Sequence, residues 1–286
     1  METDNMETIN RIEPLRKVVG AWRAAGKRVA LVPTMGALHD GHMTLVRRAA
    51  ELADRVVVSI FVNPLQFGPN EDLAAYPRRM AQDSALLEAA GVAALWAPDV
   101  AAMYPEGFST TISVTGVSEG FCGAARPGHF DGVATVVAKL FGQVTPDVAL
   151  FGEKDWQQLA VVRRMHRDLD LPFPGEIVGV PTVREADGLA MSSRNAYLSP
   201  EERQQAVALP RAMAAARDAI RGGAPVAESL AALHAALLAG GFRSVDYADL
   251  ADAETLTLLD TLGRRDARLL VAARIGSTRL IDNIPV

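Results

Sequence analysis

The strongest constraint on the fold is a repeated alternation between Arg11 and Pro181 of short apolar runs with longer amphipathic stretches. The runs are RVALV (Arg28 to Val32), Arg55 to Val62, VAALWAP, DVALFG and EIVGVP. They are rich in Val and Ile and show no regular polar alternation, as in strands buried on both faces. Between them, about Arg11 to Ala25, Gly41 to Ala53, Arg78 to Ala90, Asp131 to Phe141 and Trp156 to Leu169 carry apolar residues at helical spacing, and Gly26 closes the first. Strands separated by helices cannot pair as hairpins. They pair in parallel through crossovers, which predicts an α/β fold, a parallel sheet with helices on both faces.

After about Val183 the character changes. Alanine-rich helical stretches, Gln204 to Arg221 and Val226 to Ala239, precede two strands, VDYADLAD and ARLLVAARIG. The division expected is a Rossmann-like domain over 1–183 and a smaller C-terminal α+β domain over 184–286 that serves as a lid. A length of 286 residues suits two domains better than one core.

Bulk properties exclude several classes. With 29 Lys+Arg against 34 Asp+Glu the net charge is -5, so nucleic acid is not expected as the main partner, because neutralising phosphates takes a clustered basic excess. Cys122 is the single cysteine, so an intrachain disulfide is impossible and a cysteine-based zinc site implausible. The richest apolar run, Val56 to Val62, is far too short for a membrane span. The N-terminal METDNMETINRIEP has no apolar stretch for a signal peptide, and Met1 or Met6 could be the start. A cytoplasmic protein without membrane attachment is expected.

Five segments carry chemistry. PTMGALHDGH, Pro33 to His42, joins a strand to a helix, where ligands of an open parallel sheet bind. Gly36 and Gly41 permit close approach of the backbone. The free N–H groups at the helix start, near Asp40, favour a phosphate. His39 and His42 are three apart and can share one side of a turn, where they could stabilise charge on a transferring phosphate. Alone, such a pair could cap a helix or hold a metal, but zinc needs at least three protein ligands and no HExxH pattern exists.

The second segment, Ser59 to Arg78, places Asn63 and Gln66 just beyond a strand, with amides suited to a hydroxy acid. The third, Arg126 to Phe141, offers Arg126 as a carboxylate or phosphate clamp. The fourth, Phe151 to Met165, repeats the strand-to-helix geometry with Gly152, Glu153, Lys154 and Asp155, although acids in a first turn also suit the helix dipole. The fifth, Pro181 to Ser199, holds MSSRN, in which Ser192, Ser193 and Arg194 could grip a triphosphate.

PTMGALHDGH resembles the HxGH signature of nucleotidyltransferases related to class I aminoacyl-tRNA synthetases. Together, the five segments resemble the pantothenate synthetase (pantoate–β-alanine ligase) family in order and spacing, from about Val32 to Ser199. MSSR stands where the related synthetases have KMSKS. It lacks the lysines of that loop, so Arg194 and Lys154 must supply the positive charge.

The resemblance implies an ATP-dependent ligase that condenses D-pantoate with β-alanine through a pantoyl adenylate, giving pantothenate, AMP and pyrophosphate. It implies ATP binding by Met35, Gly36, Ala37, Leu38, His39, Asp40, Gly41 and His42, by Gly152 to Asp155, and by Val183 with Met191, Ser192, Ser193 and Arg194. His42, His39, Lys154 and Arg194 would be catalytic. Gln66 and Gln158 would hold pantoate, with Gln66 later contacting β-alanine, and Asn63 and Arg126 would assist. Mg2+ would travel with the triphosphate, and a homodimer is usual in the family. A nucleotidylyltransferase of the same fold would keep HDGH but would not need the QF, GEKDWQQ and MSSRN set.

Overall fold

The computed structural model describes residues 6–69, 71 and 73–286, so Met1 lies outside the described residues. In chain order the elements are β1 (Glu7–Ile9), α1 (Ile12–Ala24), β2 (Val29–Thr34), α2 (Asp40–Leu52), β3 (Arg55–Ile60), α3 (Met80–Ala89), β4 (Ala94–Trp96), α4 (Val100–Met103), α5 (Phe121–Ala125) and α6 (His129–Val144). They continue with β5 (Val148–Gly152), α7 (Trp156–Asp168), β6 (Glu176–Val180), α8 (Pro200–Gln205), α9 (Ala208–Arg221), α10 (Val226–Ala239), β7 (Ser244–Asp252), β8 (Ala267–Ile275) and β9 (Thr278–Pro285). Short 3-10 turns lie at Pro64–Gln66, Glu153–Asp155 and Ser193–Tyr197.

Two compact units result. One holds the residues up to Val114, Pro127–Glu153 and Val161–Pro181. The other holds Thr182–Val286 together with Thr115–Arg126 and Lys154–Ala160, two segments that a division by sequence order assigns to the first domain.

The first unit is built on a six-stranded sheet, order β1-β4-β3-β2-β5-β6, whose pairings are all parallel. The period of two in β2 separates its faces. Ala30 and Val32 pack with Met43, Val46 and Ala49 of α2 and Leu87 of α3. Val29 and Leu31 take the opposite face, where α1 and α6 pack against β2 and each other. Successive strands are added outward from β2 to β3 and β4, and then the order reverses and β5 pairs on the other side of β2. That reversal between β2 and β5 is a topological switch point, with a crevice beyond the strand ends.

The second unit contains an antiparallel sheet, order β7-β8-β9. Leu269, Val271 and Ala273 of β8 face Leu209, Met213 and Ala216 of α9 and Leu233 and Leu237 of α10. Three local expectations are corrected. β1 extends the sheet from the polar N-terminal segment, where no strand was anticipated because Ile9 alone is buried along it. The helix expected over Gln204 to Arg221 is two helices, since Ser199 caps a separate α8 through a reciprocal box with Glu202. β9 was not anticipated, because Thr278, Asp282 and Asn283 are buried polar residues that blur its apolar pattern.

One buried polar contact in the first unit tests the packing scheme. Trp96 is fully buried and its Nε1–H donates to Gln143 Oε1 at 3.1 Å. Gln143→Leu is expected to lower unfolding free energy by about 1–3 kcal/mol, because it leaves a buried N–H unpaired. The double variant Trp96→Phe/Gln143→Leu should lose less than the sum of its parts in denaturant melts; strict additivity would show that the contact contributes nothing.

Candidate active site

The loop after β2 is shaped by one buried carboxylate. Gly36 has φ +81°, and a Cβ there would lie 3.0 Å from Asp83 Oδ2 and 3.1 Å from Ile60 Cγ2. Ala37 follows with φ 51°, a left-handed conformation unusual for alanine. Asp83, 2 % exposed, compensates by accepting from the N–H of Ala37 at 2.8 Å and of Leu38 at 2.9 Å. Thr34 Oγ1 accepts from the Gly36 N–H and donates to the Ser59 carbonyl, closing the turn from below.

The two histidines form the cap of α2. His39 is the N-cap residue; its Nδ1 accepts from the Gly41 N–H at 3.1 Å. The His39 N–H in turn donates to His42 Nδ1 at 3.3 Å, which completes a reciprocal capping box. The ring centroids lie 4.0 Å apart. Because each Nδ1 accepts from a backbone N–H, the neutral rings carry their protons on Nε2. The cap thus presets two imidazole donors at a positive helix end.

Gln66, 9 % exposed, lies in the 3-10 turn after β3 and is held by several partners. Asn63 Nδ2 donates to Gln66 Oε1 at 3.1 Å and to the Gly132 carbonyl at 3.0 Å. Asn63 Oδ1 accepts from the Leu65 N–H and from the Tyr104 hydroxyl at 2.7 Å. Burial pushes the Tyr104 pKa up, which keeps that hydroxyl a donor. Gln66 Nε2 reaches Met35 Sδ at 3.0 Å, and His129 Nδ1 pairs with the Gln66 carbonyl at 2.8 Å. Asn63 therefore has both amide hydrogens and its carbonyl engaged within the chain.

Gly152, at the end of β5, and Glu153 lie beside the loop after β2, since Ala30 pairs with Val148 and Leu31 with Ala149. The first unit thus assembles Met35 to His42, Asn63, Gln66, Gly152 and Glu153 around its switch point. The remaining candidates belong to the second unit. Lys154 and Asp155 lie in the 3-10 turn, Nζ 3.9 Å from Oδ1, and Gln158 in the first turn of α7. Val183 accepts from the Met191 N–H at 3.0 Å, which draws it to the start of MSSRN, and Ser192 Oγ accepts from the Arg194 N–H. Arg126 ends α5.

Several residues holding these groups were not anticipated from the sequence: Asp83, Tyr104, His129, Gly132 and Gln157. Gln157 is fully engaged, accepting from the Cys122 N–H and donating to the carbonyls of Val117 and Gly120. RPGHFDG offered a signal for His129 and Gly132, but not a partner some sixty positions earlier.

Gly132 is the most sensitive of these. A Cβ there would lie 2.3 Å from the Leu65 carbonyl oxygen and 2.7 Å from the Gln66 nitrogen, both backbone atoms. Gly132→Ala is expected to cost about 1–3 kcal/mol of stability through overpacking. It should also displace Gln66, raising KM for an acid substrate more than for a nucleotide. Equal effects on both would show that the turn does not serve the acid.

Comparison with known proteins identifies the arrangement. The family model for pantoate–β-alanine ligase matches residues 7–285. The chain is 68% identical over 283 residues to the pantothenate synthetase of Novosphingobium aromaticivorans, covering 98% of this chain and 99% of that one. It is 63% identical to that of Sphingopyxis alaskensis, covering 98% and 100%. Crystalline pantothenate synthetase from Thermus thermophilus superposes with a TM-score of 0.91 at 52% identity, covering 98% and 99%. Pantoate–β-alanine ligase from Francisella tularensis, complexed with beta-gamma ATP and β-alanine, gives 0.82 at 31% identity, covering 98% and 97%. The chain belongs to the pantoate–β-alanine ligase family.

Proposed function

We propose that the chain carries out the family's ATP-dependent condensation of D-pantoate with β-alanine by positioning and charge stabilisation, without a nucleophile of its own. A pantoate carboxylate oxygen forms a bond to the α-phosphorus of ATP as the bond from that phosphorus to the bridging oxygen breaks, releasing pyrophosphate. The β-alanine nitrogen then bonds to the acyl carbon, the acyl C–O bond breaks, AMP leaves and the amine loses a proton. The observation that carries this reading is the histidine capping box at the switch point. It supplies two Nε2–H donors for charge growing on the transferring phosphates, where fixed donors act most strongly.

In this reading Gly36, Ala37, Leu38, Asp40 and Gly41 line ATP with the histidines, beside Gly152 and Glu153. Gln66 and Gln158 hold pantoate, Arg126 assists, and Asn63 acts by orienting Gln66. Lys154 and Arg194 neutralise the triphosphate, with Asp155, Val183, Met191, Ser192 and Ser193 completing the nucleotide contacts. Magnesium enters as part of the ATP substrate; it keeps most of its waters and takes few protein ligands. Among the described residues no group of three or more His, Cys, Asp or Glu would cage it. Among them, too, no helix is long and apolar enough to cross a membrane. The reading includes a homodimer working in the cytoplasm, where ATP is supplied.

The reading is tested by isotope exchange. ATP and pantoate alone should exchange labelled pyrophosphate, and adding β-alanine should yield AMP; exchange that needs the amine would overturn the two-step order. His42→Ala should slow exchange about a hundredfold or more, the range for one transition-state donor. Unaltered exchange would remove His42 from the first step. Lys154→Ala and Arg194→Ala should each slow exchange, and their double variant should lose less than the sum, since groups acting on one charge couple. A Lys154→Ala defect confined to the amine step would assign that residue elsewhere.

A further inference from the structure

Two consecutive residues of β9 hold the two loops that bear Lys154 and Arg194. Asp282 and Asn283 are adjacent on a strand and so point to opposite faces of the sheet. Asp282, whose side chain is 0% exposed, takes Arg184 in a two-pronged ion pair, Nη1 to Oδ2 at 2.7 Å and Nη2 to Oδ1 at 2.9 Å. Arg184 opens the hairpin that leads into MSSRN: it bridges to Ala190, and its Nη1 also donates to the Gly188 carbonyl at 3.0 Å. The hairpin then grips the loop, because Glu185 Oε1 accepts from Asn195 Nδ2 at 2.8 Å and its Oε2 from Arg203 at 2.6 Å.

Asn283, 4% exposed, works on the other loop. Its Nδ2 donates to the Lys154 carbonyl at 2.8 Å, and its Oδ1 accepts from Arg268 Nη1. The Arg268 guanidinium carbon lies 3.4 Å from the centre of the Trp156 ring, and Trp156 Nε1 donates to the Ala253 carbonyl at 2.8 Å. Asn283 and Arg268 thus clamp the turn that carries Lys154 from both its backbone and the following side chain.

We propose that Asp282 and Asn283 are positioning residues for adenylate formation, fixing the spacing between Lys154 and Arg194 through the rigid strand they share. The proposal rests on the reading of those two cations as triphosphate groups. Two long side chains can serve one developing charge only if their loops are held in register. A strand tied to its neighbour by an unbroken ladder of pairs is a stiffer mount than a loop. A merely structural role would lower stability and slow both half-reactions alike.

The discriminating variant is Asn283→Asp, which keeps an acceptor for Arg268 but removes the donor to the Lys154 carbonyl. Pantoate-dependent pyrophosphate exchange should slow by about ten- to a hundredfold, the scale of an ångström-sized misplacement. Reaction of preformed pantoyl adenylate with β-alanine should stay within about twofold, since the triphosphate has already gone. In the Lys154→Ala background the same substitution should add little further loss. Asp282→Asn should likewise slow exchange selectively, and its effect should vanish in the Arg194→Ala background. If Asn283→Asp fails to fold, the smaller and uncharged Asn283→Ser carries the same comparison. Equal slowing of both half-reactions, or an undiminished loss in the Lys154→Ala background, would overturn the proposal. If Lys154→Ala itself leaves exchange unaltered, the underlying reading of the cation fails instead.

Discussion

Parallel pairing of β2 with β3 on one side and β5 on the other is the constraint on which the rest of the first unit depends. Each parallel neighbour needs a crossover helix, so the chain leaving β2 and the chain leaving β5 must turn away in different directions. Backbone N–H groups at those turns cannot be satisfied by the sheet. Along the loop after β2 they are satisfied by Asp83 at Ala37 and Leu38, and by the histidine box at the start of α2. The loop proposed to receive the nucleotide is thereby held by hydrogen bonds made within the chain itself.

Buried amides recur for the same physical reason. Asn63 and Gln157 each bury a primary amide and pair its two hydrogens and its oxygen inside the chain. A buried polar group left unpaired costs about 1–3 kcal/mol, so such a network holds one arrangement and penalises every other. Gly132 shows how closely the elements then approach, since even a methyl group would meet the Leu65 carbonyl. Transition-state stabilisation by fixed donors depends on this kind of preorganisation more than on any individual contact.

Every strand of the first unit's sheet except β1, and the loops beyond those strands, were legible in the sequence because apolar period and strand-to-helix order are local signals. RVALV announced β2, and PTMGALHDGH announced the turn after it. Most helix ends in the first unit were legible to within a residue or two. What was hidden is polar and nonlocal. Asp83 reads as an ordinary helix acid until its partners Ala37 and Leu38, far earlier in the chain, are known. β9 was hidden by its own buried Thr278, Asp282 and Asn283, whose partners include Arg184 and Lys154, far upstream. Asn63 stood out in the sequence as a candidate, but its four internal bonds, which turn it toward Gln66, did not.

The central chemical claim is that the acid is activated at the α-phosphorus, with its own oxygen becoming part of the leaving nucleotide. Pantoate labelled with oxygen-18 in both carboxylate oxygens tests this directly by mass spectrometry of the products of a complete turnover. The account predicts one heavy oxygen in the phosphate of AMP, one retained in the amide carbonyl of pantothenate, and none in pyrophosphate. Label appearing in inorganic phosphate with ADP, or AMP free of label, would contradict it.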